Sequence, residues 1–198
     1  MGLDFEYNPG QTPLDPEEID GLLIDTISTR GELDEFEQQN IEEAMQWVLT
    51  RRLRPDQILT EAFICQLHKR MYGHVWSWAG QFRNTEKNIG IARYRIGPEL
   101  RTLLDDALYW VEHHTYPPEE IALRFKHRIV SIHCFANGNG RHSRLMADII
   151  IDKIFKQDVF SWGAANLVRQ GETRVSYLQA VRVADTGDIT PLIVFARS

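Results

Sequence analysis

The sequence predicts an all-α protein, a helical bundle carrying one small β-hairpin. Apolar stripes at helical spacing recur along most of the 198 residues. Proline and glycine punctuate them where short connections are needed, and only residues 84–96 carry a β signal.

Taken in order, residues 1–17 read as an extended arm, because Pro9, Gly10, Pro13 and Pro16 oppose regular structure. Glu17 to Ile27 is a short amphipathic helix candidate. After Gly31 a stronger pattern runs through Leu33, Phe36, Ile41, Ala44, Val48 and Leu49 and ends at Arg54-Pro55. Leu59 to Met71 follows, on the stripe Phe63, Leu67, Met71. Tyr72 to Phe82 is irregular and aromatic, with Trp76 and Trp78 as packing residues. Two short runs flanking Gly90 form the predicted hairpin. Pro98 opens the next helix at its first position, which runs on Leu100, Leu104, Leu108 and Val111 to His114. Pro118 starts another through Ile121, Phe125, Ile129 and Val130. A Gly/Asn-rich loop over 133–140 leads into a helix on Leu145, Ile149 and Ile150 that ends near Phe155. The last helix spans Asn166 to Ala184, and Gly187 closes it before the tail PLIVFARS.

Composition narrows the class. A chain of this length can bury a real core. With 22 basic and 28 acidic residues the net charge is −6, which disfavours general nucleic-acid binding, since phosphate neutralisation supplies most of that affinity. No apolar stretch is long enough for a membrane span. The N-terminus has neither the basic nor the apolar region of a signal peptide. Cys65 and Cys134 lie apart among apolar residues, and two unpaired thiols predict a reducing, cytoplasmic setting.

The chemistry is concentrated in one string, His133-Cys134-Phe135-Ala136-Asn137-Gly138-Asn139-Gly140-Arg141-His142-Ser143-Arg144. Alternating Gly and Asn allow left-handed backbone conformations. Successive amide N–H groups can then converge as an anion nest, reinforced by the positive end of the helix that starts there. Arg141 and Arg144 share one face of its first turn and offer two guanidinium forks to phosphate oxygens. Cations at a helix N-terminus are unfavourable unless an anion is bound. His133 stands where a neutral imidazole can accept a proton from an attacking hydroxyl. Together these features describe a phosphate-transfer site. His127, His133 and His142 lack any established zinc spacing, which sets a zinc hydrolase well behind.

The string resembles the Fic family signature, HPF-x-(D/E)-GNGR-x-x-R, at His133, Phe135, Gly138, Asn139, Gly140, Arg141 and Arg144. Trp78, Gly80 and Arg83 resemble the family's W-x-G-x-x-R segment, and Gly187-Asp188 with Pro191-Leu192-Ile193 its closing motif. Taken whole, the chain is most similar to a bacterial subgroup sometimes called mobile mystery protein B. The resemblance implies AMP transfer from ATP, with Mg²⁺, to a Tyr, Thr or Ser hydroxyl of a target protein. His133 becomes the general base and Phe135 the loop's anchor. Gly138, Asn139 and Gly140 bind the α- and β-phosphates. Arg141 serves the β-phosphate side and Arg144 the γ-phosphate, with Tyr177 beside the adenine. The hairpin over 84–96 becomes a flap that pairs with the target. A homo-oligomer or an antitoxin partner stays open.

Two positions depart from the signature. Cys134 replaces proline. Asn137 replaces the carboxylate that ligates Mg²⁺, leaving a neutral amide as metal ligand. This keeps two alternatives open: a nucleotide- or phosphate-binding regulatory module without turnover, and a transferase with another donor. Ser28 and Glu32 match two positions of the family's inhibitory pattern (S/T)-x-x-x-E-(G/N), with Leu33 failing the last. Glu32 then pairs with Arg144, or else serves as first-turn charge on a helix capped by Ser28 or Thr29. On this reading residues 1–50 hold the arm and the inhibitory helix, and 51–198 the core domain.

Overall fold

The structure is a computed structural model that describes residues 14–163 and 170–198. Among these residues it is helical: α1 Pro16–Ile19, α2 Arg30–Leu49, α3 Pro55–Ile58, α4 Glu61–Tyr72, α5 Ile96–His113, α6 Pro118–Ile132, α7 Asn139–Ile149, α8 Gln170–Ala184 and α9 Thr190–Arg197. A π-helical stretch, Ile150–Ile154, extends α7. Most of the expected N-terminal arm, and the start of the last long helix at Asn166, lie outside the described residues. No helix among those described is long and apolar enough to cross a membrane.

The helices start where local chemistry satisfies their free N–H groups. Thr29 Oγ1 accepts from Glu32 N at 3.2 Å, and Thr60 Oγ1 from Phe63 N at 3.1 Å. Pro118 begins α6 at a position needing no N–H donor. Helices α6 and α7 pack on each other on either side of the Gly/Asn-rich loop, with α4 and α5 alongside. Ile64, Leu67, Leu100, Leu103, Phe125, Phe135, Met146 and Leu192 are fully buried between them. Each large apolar side chain so buried contributes roughly 1.5–3 kcal/mol.

Helix α2 packs along α4, but on a stripe shifted from the expected one. Phe36 and Leu49 are exposed, while Glu37 and Asn40 face inward with Leu33, Ile41, Ala44 and Val48. The inward polar groups are satisfied. Glu37 accepts from Trp76 Nε1 at 2.7 Å, and Asn40 Oδ1 from His74 N at 3.2 Å.

Three sequence expectations are corrected. The helix over 17–27 stops at Ile19, because tertiary partners take the next backbone groups: Leu23 N donates to Val75 O and Ser77 N to Gly21 O, both at 2.8 Å. Gly21 permits that approach, since a Cβ there would lie 2.6 Å from Trp78. The hairpin over 84–96 does not form, and no strand occurs among the described residues beyond an isolated Leu22–Trp76 bridge. Residues 84–92 are irregular, and a 3₁₀ turn, Arg93–Arg95, leads into α5 two residues before Pro98. The carbonyls of Thr85 and Ile91, which a ladder would use, accept from the Arg83 guanidinium instead. Finally, PLIVFARS belongs to a further helix, α9, whose start is fixed by Asp188 Oδ1 accepting from Thr190 N at 3.0 Å.

Two buried imidazoles make the fold acid-sensitive. His142, on α7, has its pKa pushed down to about 4 by burial, and burial also holds His68, on α4, well below the usual value. The unfolded chain takes up protons near pH 6.5 while the folded chain does not, so stability falls as the pH drops from 6.5 toward 4. His142 alone accounts for roughly 3 kcal/mol across that window. The urea midpoint is expected to be flat above pH 7 and to decline steeply between pH 6 and 4. A His142→Gln variant should make that decline shallower by the share His142 contributes, with His68 and His133 keeping the rest.

Candidate active site

The loop between α6 and α7 forms the floor of a cleft of about 730 Å³, with Arg141, Arg144 and Tyr177 in its walls. Its conformation is set by a few left-handed residues. His133 terminates α6 with φ +59°, and Gly138 precedes α7 with φ +77°. A side chain at Gly138 would meet the Tyr72 ring at 2.6 Å, so the loop backbone lies directly on that ring. The first intrahelical bond of α7 runs from His142 N to Gly138 O, at 2.9 Å. The amides of Asn139, Gly140 and Arg141 therefore remain available for an anion.

Side chains from behind the loop hold it. The Asn139 amide grips Phe135 from both sides: Phe135 N donates to Oδ1 at 3.0 Å and Nδ2 donates to Phe135 O at 2.8 Å. Sequence reasoning places this amide on a phosphate; in the structure it is buried and committed to the loop, and Asn139 faces the cleft otherwise. His68 stacks on Phe135 with ring centroids 3.7 Å apart. Gly80 N donates to His68 Nδ1 at 3.0 Å, so the proton must reside on Nε2, which donates to the carbonyl of Asn137 at 3.0 Å. The neutral ring is thus a fixed tie between α4 and the loop.

His133 is buried against the 84–92 segment. A Cβ on Gly90 would lie 2.5 Å from His133 Cβ, and Arg83 Nε donates to His133 O at 2.7 Å. Burial pushes the His133 pKa down to about 4, helped by the positive charges of Arg83 and Lys87, while a hydrogen bond to the Val130 carbonyl opposes the shift. The imidazole is therefore neutral at physiological pH, as a proton acceptor must be.

The two arginines are in different states. Arg141 is ion-paired through Nη2 with the buried Glu37 of α2, and its guanidinium lies 5.2 Å from the Tyr72 ring centroid. Arg144 has no carboxylate partner among the described residues; its guanidinium lies 5.5 Å from the Tyr177 centroid. Lys126 Nζ is also buried near Tyr177, 4.6 Å from the ring centroid, with no acceptor among the described residues. Farther out Trp162 lines the cleft, its Nε1 donating to both oxygens of Asp148 at 3.0 and 3.1 Å.

The expected Glu32–Arg144 pair does not form. Glu32 Oε2 accepts from Ser28 N, Thr29 N and Ser28 Oγ at 2.8, 3.0 and 3.1 Å, in an exposed capping box at the start of α2. Ser28 and Glu32 thus serve as a helix start, and the carboxylate that α2 brings to the site is Glu37. Its signal in the sequence was its place on the apolar stripe, four residues after Leu33. His68 and Tyr72 were missed for the same reason, lying four and eight residues after Ile64 on the buried face of α4.

The loop over 133–140 offers no carboxylate to a Mg²⁺ ion, only the neutral amide of Asn137. Asn137 Oδ1 accepts from Gly138 N at 2.6 Å, so that oxygen is engaged. Glu37 and Asp34 are paired with Arg141 and Arg30, and no cluster of three His, Cys, Asp or Glu residues suited to a metal occurs among the described residues. His127 and His142 contact Asp185 and the Ile64 carbonyl, not each other.

Residues 58–151 match the model of the Fic/DOC family. A protein adenylyltransferase Fic of Aedes aegypti is 26% identical over 182 residues, covering 89% of this chain and 33% of its own length. One from Drosophila sechellia is 30% identical over 137 residues, covering 67% and 26%. The chain thus spans a third or less of these relatives. Among solved structures, Fic-1 from C. elegans superposes with a TM-score of 0.69 at 22% identity, over 90% of this chain and 51% of that one. The BepC protein of Bartonella tribocorum, with bound AMPPNP, gives 0.66 at 16%, over 92% and 97%. These likenesses show the fold.

The contact of Gly138 with Tyr72 makes a direct test. Gly138→Ala introduces a Cβ into the ring at a left-handed position, and a loss of roughly 2–4 kcal/mol in stability is expected, read by urea denaturation.

Proposed function

We propose that this chain, whose residues 58–151 match the Fic/DOC family model, transfers AMP from ATP to a hydroxyl group of a protein. The observation that carries the reading is the convergence of three groups on one cleft: the free amides at the start of α7, the Arg141 and Arg144 guanidinium groups, and the neutral imidazole of His133. Amides and guanidinium groups suit a polyphosphate. The imidazole suits removal of the acceptor's proton.

In this reaction the acceptor oxygen bonds to the α-phosphorus while the bond from that phosphorus to the pyrophosphate oxygen breaks. The proton of the hydroxyl passes to the His133 nitrogen that is not engaged with Val130. Charge developing on the pyrophosphate is met by Arg141, Arg144 and the α7 amides. Tyr177 and Trp162 offer aromatic surface to the base. Segment 84–92, with Ile89 and Gly90 facing the cleft, is where the acceptor chain docks.

The same reading gives α2 a restraining role. Glu37 neutralises Arg141, so a nucleotide must displace a buried carboxylate to use that arginine. Autoinhibition on this reading rests on Glu37 and not on Glu32. The engagement of Asn137 with Gly138 favours a second reading, a binding module without turnover; pyrophosphate release separates the two.

Labelling with α-labelled ATP tests the function. Wild type should label protein, and His133→Ala should lose label by about a hundredfold or more, as expected for a general base. Glu37→Gln keeps an oxygen for Trp76 while removing the charge from Arg141, and labelling should rise several-fold. If label never appears but nucleotide binds, the binding-module reading holds. The transfer rate should hold as the pH falls through 6.5, because His133 stays unprotonated well below that pH, and should drop only where the loss of fold stability described above sets in.

A further inference from the structure

We propose that α1 is a positioning element for the protein acceptor: Glu18, with Asp15, holds Lys87 and Thr85 and so fixes how segment 84–92 passes over His133. This rests on the docking role of that segment given above.

The contacts form one knot, buried at Lys87 and Glu18 and open to solvent at Asp15. Lys87 Nζ reaches back from the segment to Asp15 Oδ2, at 2.7 Å, and to Glu18 Oε2; the side chain is only 4% exposed. The other oxygen of Glu18 accepts from Thr85 Oγ1 at 2.8 Å. The Glu18 carbonyl accepts from Trp78 Nε1 at 2.9 Å, tying α1 to the core beneath the segment. A helix of four residues has no stability of its own; it persists because these partners hold it, and it holds them in return. A lysine and a glutamate buried together form a directional restraint, because removing either partner strands a charge away from water.

The knot is placed to affect one half of the cleft. Asp15, Glu18, Thr85 and Lys87 do not line it, whereas Ile89 and Gly90 of the same segment do. Three residues beyond Lys87, the Gly90 backbone lies against His133, and Ile91 N donates to Ile132 O at 3.4 Å. Arg83 anchors the segment from the core side, and α1 anchors it from the outer side. Loosening α1 therefore shifts the acceptor side and leaves the amides and arginines that hold phosphate in place.

The test uses the full chain with Glu18→Gln, with Thr85→Val as a milder variant, and with the double substitution Glu18→Gln/Lys87→Met, which strands no charge. Three quantities are read: hydrogen exchange of amides 84–92, ATP binding by tryptophan fluorescence, and transfer from α-labelled ATP to a panel of tyrosine- and threonine-containing peptides. Exchange over 84–92 should accelerate roughly tenfold and the peptide KM should rise by a similar factor, with ATP affinity within about twofold of wild type in every variant and kcat within about twofold in Glu18→Gln, which leaves the Lys87 charge near His133 in place. Unchanged exchange overturns the knot. Faster exchange with an unchanged peptide KM overturns the positioning role, as does a parallel loss of ATP binding, which would mark general destabilisation. A wild type that binds ATP but transfers no label overturns the transfer reading and the acceptor role with it, whatever exchange shows about α1.

Discussion

The buried guanidinium of Arg83 is the constraint on which the site depends. Its donors go to three carbonyls, those of His133, Thr85 and Ile91, while its own backbone N–H donates to Cys134 O at 2.9 Å. A cation this far from water is tolerable only when its donors are satisfied. That requirement forces the end of α6, the start of the Gly/Asn loop and the irregular segment 84–92 into one arrangement. Because the carbonyls belong to backbone, the arrangement is indifferent to most side chains of the segment, and the segment needs no strand pairing of its own.

The loop is held from beneath in a similar spirit. Asn139, His68 and Tyr72 each use a side chain to fix backbone: the first clamps Phe135, the second ties the Asn137 carbonyl to α4, and the third provides the flat surface on which Gly138 rests. None of the three needs to touch a ligand for the loop to keep its shape. Preorganisation of this kind matters because donors already aimed at a developing charge require no reorganisation when it appears. The His68 tie also carries a condition. A second proton on its ring would face the Gly80 N–H, so only the neutral form fits.

Much of this was legible in the sequence. The helical class, the connections at Pro118 and the loop over 133–140 followed from periodicity and from Gly/Asn alternation. What escaped was long-range. Residues 84–96 read as a hairpin because local pattern cannot register that Arg83 takes the carbonyls. Glu32 left two readings open, a brake on Arg144 or first-turn charge at a capped helix start, and the structure has the second, its carboxylate accepting from the backbone of Ser28 and Thr29, four and three residues away. Glu37 was hidden in plain view on an apolar stripe, where a carboxylate has to find a partner; Arg141, 104 residues on, is that partner. The short reach of α1 was equally invisible, since its terminus is set by the backbone of 75–77.

The contact between Gly90 and His133 has a consequence for how such a site can change. A methyl group at position 90 would lie 2.5 Å from the His133 Cβ, so position 90 is closed to larger residues. Ile89, next to it, is exposed and meets whatever approaches. On the proposed function, recognition could therefore diversify one residue away from His133 while its surroundings stay fixed. A library seeking new acceptors would then belong at the exposed positions of the segment, where changes need not disturb the packing behind it.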